Sequence, residues 1–165
     1  MVQMRIKERG FMKKDKVLGN LGQAWLAFVN SYSGLKREKL LTPGVTGEWS
    51  IKEIVSHVSW WEEEALKNLP VILNGGRPKR YSVLYGGIDA FNARMAEERR
   101  ALTLEQALKW QDDTHRRLIE YLQIVPEQHF IIETRFRRRL RLDTYGHYRI
   151  HTQAILDWRQ RQERE

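Results

Sequence analysis

With 165 residues, 41% hydrophobic and 30% charged, the chain has the size and composition of one folded domain and is too apolar to be a disordered segment. The formal net charge of +8 permits attraction to anions, nucleic acid included. The absence of cysteine excludes a disulfide framework, a thiolate metal site and a cysteine nucleophile, so any metal ligands must be histidines or carboxylates.

No apolar run approaches the roughly 18 residues needed to cross a bilayer, and no membrane partner is expected. The opening stretch MVQMRIKERGFMKKDK lacks the apolar centre of a secretory signal. Residues 1–11 read as a basic N-terminal extension, with Met12 as an alternative start, and residues 12–165 read as a single domain. A cytoplasmic location follows as the default expectation.

Helical periodicity appears four times. In the first segment Val17, Leu18, Leu21, Trp25, Phe28, Val29 and Tyr32 recur at spacings of three and four. Gly34 is the expected stop, and Pro43-Gly44 marks a turn. The second segment starts at a capping box, Ser50 with Glu53, and carries Ile51, Ile54, Val55, Val58, Ala65, Leu66 and Leu69 on one stripe. Pro70, Gly75, Gly76 and Pro78 open a long connection to Gly86-Gly87, and loops of that length often border functional sites.

The third segment begins near Asp89 and restarts at Thr103, where Gln106 completes another capping box; Pro126 closes it. The stretch HFIIETRFRRRLRL fits an extended loop or strand by its partial alternation, and a helix by its Phe136 and Leu140. A fourth helix is expected from about Asp143 to Gln162. Four amphipathic segments without alternating strands predict an all-α, antiparallel four-helix bundle with long connections.

At about 100° per residue, His147, His151, Ala154, Ile155 and Trp158 share the buried face of the fourth helix. Two imidazoles at i and i+4 point the same way and can chelate one ion, or form a hydrogen-bonded core pair. His57, at the edge of the second stripe, is the candidate third ligand. Three histidines on two helices leave coordination positions open, as catalytic metal sites do. Glu62 falls in the middle of the buried stripe, where a carboxylate needs a cation or a hydrogen bond. It fits either a partner of a metal-bound histidine, acting as general base, or an ion pair with an arginine. Glu63 and Glu64 read as solvated, and His115 and His129 as non-ligands. Trp49, Trp60, Trp61, Trp110 and Trp158 suit either an apolar substrate pocket or the core.

The stretches GVTGEWSIKEIVSHVSWWEE from Gly44, IDAFNARM from Ile88 and DTYGHYRIHTQAILDWR from Asp143 together resemble the ClbS/DfsB four-helix-bundle family of the DinB/YfiT-like putative metalloenzyme superfamily. The resemblance covers roughly residues 12 to 160 and implies a bundle with a left-handed connection. It also implies a zinc or nickel ion on His57, His147 and His151. Relatives in that superfamily transfer low-molecular-weight thiols to electrophiles or isomerise maleylpyruvate, and the ClbS branch opens an electrophilic cyclopropane by hydrolysis. The arginine-dense stretch 135–141 and the residues before Met12 are not part of the family pattern.

The expected function is a divalent-metal-dependent enzyme acting on a small electrophile by thiol transfer or hydrolysis. Glu62 or Tyr148 would move the proton, and a low-molecular-weight thiol would enter as cosubstrate. The chain is expected to be a monomer or homodimer. The alternatives are a non-enzymatic protein that sequesters a small molecule, or one that binds nucleic acid through Arg135, Arg137, Arg138, Arg139 and Arg141. For that cluster a solvated loop is the favoured reading over nucleic acid.

Overall fold

The computed structural model describes the backbone of residues 2–164 and the side chains of residues 13–164. The basic extension expected over residues 1–11 lies outside the described side chains. Among the described residues there is no strand, only an isolated bridge between Thr46 and Trp49. The all-helical expectation holds.

Four long helices form the bundle: α1 (Val2–Tyr32), α3 (Ile51–Leu73), α6 (Leu104–Ile124) and α9 (Tyr145–Gln162). Between them lie α2 (Arg37–Leu40), α4 (Tyr81–Leu84), α5 (Ile88–Arg99), α7 (Gln128–Ile131) and α8 (Arg135–Asp143). The main pairings are α1 against α9 and α3 against α6, with α3 also touching α9. Helix α8 packs on α3 and α9, and α5 packs on the outer side of α3.

Helix α1 buries Val17, Leu21, Phe28 and Tyr32 of the predicted stripe together with Ala24, while Leu18, Trp25 and Val29 of that stripe are only partly buried against the same core. Phe28 is fully buried, and burial of such a side chain contributes about 1.5–3 kcal/mol. Gly34 ends the element with φ +79, a conformation that costs a residue with a Cβ. Both predicted capping boxes form. The Ser50 backbone N–H donates to Glu53 at 2.9 Å, and that of Thr103 donates to Gln106 at 2.8 Å. Pro70 does not end α3, which continues to Leu73, because losing one hydrogen bond in a last turn does not undo the packing of the whole face.

The stretch that sequence left between loop, strand and helix is helical over Arg135–Asp143. The Thr134 hydroxyl caps it, accepting from Arg137 N at 3.2 Å. Phe136, Leu140 and Asp143 share its buried face, so the arginines do not lie on the favoured solvated loop. The helix is broken from α9 at Thr144 (φ -128, ψ -107). Just beyond, Gly146 passes close to the end of α8: a Cβ there would lie 2.8 Å from the carbonyl oxygen of Arg141. Only a bare backbone allows the two helices to meet so tightly, and the next residue is His147.

No helix among the described residues is long and apolar enough to cross a membrane.

Candidate metal centre

Helix α3 supplies His57, and α9 supplies His147 and His151 on successive turns. Nε2 of His57 lies 2.8 Å from Nε2 of His147, which lies 2.9 Å from Nε2 of His151. His57 and His151 are buried, while His147 keeps partial exposure. Trp49, Trp60 and Trp61 wall the His57 ring at centroid distances of 4.9, 4.7 and 6.5 Å. Trp110 and Trp158, the other two candidates for an apolar pocket, are elsewhere. Trp110 lies beneath Arg99 and donates to Glu63, and Trp158 sits in the main core.

Burial penalises the imidazolium form of all three rings. It holds His151 down to about 4 and, with the neighbouring His151, His147 down to about 3. Burial, with His147 and His151 adding to it, lowers His57 further still. All three are therefore neutral at pH 7, as metal ligation requires.

These residues fit a divalent cation. An imidazole nitrogen offers one in-plane site, either a proton or a lone pair. His147 Nε2 faces two neighbours at once, so no choice of tautomers gives each nitrogen its own partner. A shared cation resolves this, because all three lone pairs can then aim at one point. Two nitrogens bound at about 2.0–2.1 Å and at right angles lie about 3 Å apart, close to the separations seen here. The three Nδ1 atoms have no hydrogen-bond partner among the described residues. Imidazole-only ligation suits zinc, nickel, copper or iron.

Glu62 and Tyr148 are also brought together, but in a second cluster. Both are fully buried and bonded to each other, and Glu62 Oε1 also pairs with His115 Nδ1 at 2.8 Å. Neither shares a hydrogen bond with the three histidines. Burial raises the Glu62 carboxyl, with the His115 contact working against it, and burial also raises the Tyr148 hydroxyl. The partner of Glu62 is thus a histidine from α6 rather than an arginine. His115 lies outside the three-histidine cluster and carries no local signal in the sequence as the mate of Glu62.

Two expectations for α3 need correction. Glu63 is not free in solvent: it accepts from Arg117, Trp110 and Thr114. Glu64 leaves only 12% of its side chain exposed, accepting from Tyr81 Oη at 2.6 Å and from Asn68 at 3.1 Å. The Phe91-Asn92 pair also has a role. Asn92 Oδ1 accepts from the indoles of Trp60 and Trp61 at 3.3 and 3.1 Å, which ties α5 to the wall of the histidine cluster.

No curated protein matches the sequence. The fold is similar to the solved structure of a Sibling Lethal Factor Precursor, DfsB, with a TM-score of 0.71. That likeness covers 90% of this chain and 96% of the other at 13% identity, so it is a likeness of fold. Residues 20–153 match the DinB superfamily, and the chain belongs to that superfamily.

Proposed function

We propose that the protein is a divalent-metal-dependent enzyme acting on a small electrophilic molecule, with zinc or nickel held by His57, His147 and His151. The convergence of three neutral Nε2 atoms from α3 and α9 carries this reading. A bound ion supplies Lewis acidity, which makes a water or a low-molecular-weight thiol a nucleophile near neutral pH. The ligand set holds no carboxylate, so it adds no negative charge to weaken that acidity.

The chain's own residues shape the remaining steps. Trp49, Trp60 and Trp61 keep water from the His57 side, and the partly exposed His147 marks the approach for a substrate. Tyr148 follows His147 directly on α9. With Glu62 it forms a place to hold a proton at Glu62 Oε1, and the 14% exposure of His115 gives that proton a way to solvent.

Untagged protein dialysed against zinc or nickel should retain one ion per chain. It should then accelerate either displacement of chloride from an electron-poor aryl chloride by glutathione or hydrolysis of an epoxide. His151→Ala should lose both the ion and the acceleration. A chain that takes up no stoichiometric metal, or rates identical with and without it, would overturn the proposal.

A further inference from the structure

A cleft of about 590 Å³ opens between the stretch leading from α3 into α4 and the outer side of α8. We propose that it binds a small amphipathic anion, a phosphate or carboxylate carried on an apolar body. It shares no residue with the three-histidine cluster, so the inference stands apart from the metal reading.

Charge is the first argument. Lys79 and Arg80 line one wall, Arg135 and Arg138 the other, and none of the lining residues is acidic. Among the described residues these four cations form no ion pair. The fifth cation, Arg139, is committed to the fold: it is paired with Asp143 and donates to Tyr81 Oη at 2.6 Å. Four uncompensated positive charges around one concavity repel one another, and an anion between them removes that cost.

The floor is the second argument. Ile72, Ile88 and Leu142 line the same cleft, and Ile88 and Leu142 are 54% and 68% exposed. Exposed apolar side chains beside a ring of cations favour a ligand with both an apolar and an anionic part. The volume lies within the roughly 300–1,000 Å³ of small-molecule sites.

A nucleic-acid strand fits less well. Its phosphates need a stripe of cations, yet Arg137 and Arg141, which would extend one, point to Glu133 at 4.0 and 2.8 Å. Tyr81 is the only aromatic lining residue, and it is occupied by Glu64 and Arg139. Little is left for bases to stack on.

Calorimetric titration of the full chain with decyl phosphate, below its micelle threshold, tests the proposal. Inorganic phosphate, decanol, decanoate and a series of oligothymidylates form the other arms. Decyl phosphate or decanoate should bind at least tenfold more tightly than decanol and than inorganic phosphate. The affinity should fall at least tenfold in Arg135→Gln/Arg138→Gln and in Lys79→Gln/Arg80→Gln, two variants on opposite walls. It should persist in His151→Ala. Equal binding by either double variant and the parent, equal binding of decanol, or oligonucleotides that bind more tightly as they lengthen and outcompete decyl phosphate would each overturn it.

Discussion

The imidazole of His115 lies flat against the indole of Trp25, with ring centroids 3.6 Å apart and planes 1° from parallel. The stack joins α1 to α6 and fixes the ring that faces Glu62. Replacing Glu62 with alanine leaves the Tyr148 hydroxyl and His115 Nδ1 unpaired around a new cavity, and should cost about 3 kcal/mol in urea unfolding. Glu62→Gln keeps the shape and an acceptor, and should cost less than about 1 kcal/mol. Because Glu62 shares no hydrogen bond with the histidine cluster, Glu62→Gln should bind zinc like the parent while reducing turnover.

Zinc binding should raise thermal stability. At a free concentration 1,000 times the dissociation constant, binding contributes about 4 kcal/mol, or about 10 °C for a chain of this size. His151→Ala removes one of the three candidate ligands and should abolish most of that shift in scanning calorimetry. An equal shift in parent and variant would place the ion elsewhere.

Gly146 sets the approach of α8 to α9, since a methyl group there meets the Arg141 carbonyl. Gly146→Ala should cost about 1–3 kcal/mol through forced separation of the two helices. It should also weaken zinc binding, because His147 is the next residue. A variant with parental stability and affinity would show that the junction can widen freely.

Arg139 and Asp143 form a mostly buried pair on α8, with side chains 17% and 4% exposed. Arg139→Ala strands the carboxylate and should cost about 3 kcal/mol. Arg135→Ala and Arg138→Ala remove only exposed, unpaired charges and should stay within about 0.5 kcal/mol of the parent. Urea unfolding of the three variants checks the contrast.

The Glu53 carboxyl is a source of acid sensitivity. Burial alone would raise it, but hydrogen bonds from the Ser50 side chain and backbone, with Lys52 adding to them, hold it below the ordinary value of 4.5. Its contribution is therefore complete above pH 4.5 and is lost as pH falls through the lowered folded-state value. Glu53→Gln keeps the capping box, as Gln106 does on α6, and removes the proton. Melting temperatures from pH 7 to pH 3 should fall less steeply in that variant.

Features written in local spacing were readable from the residues alone. The i,i+4 pair His147 and His151, the two capping boxes and the α1 stripe each follow from one helix. His57 came into view because the edge of a stripe is also local. The partners of Glu62 and Glu64 are not legible, since His115 and Tyr81 lie far along the chain and reach them only in the folded bundle. Helix α8 was obscured for another reason: five arginines in seven positions masked the 136–140–143 spacing that buries one face.

The two parts of the candidate ligand set have different histories during synthesis. The pair on α9 can form within a single turn, whereas its mate on α3 lies 90 positions upstream of the nearer of the two. A chain still emerging from the ribosome therefore carries only one of the three candidate ligands, His57, until α9 is made. On the proposed reading, metal capture follows the synthesis of α9, the helix that carries two of the three candidate ligands.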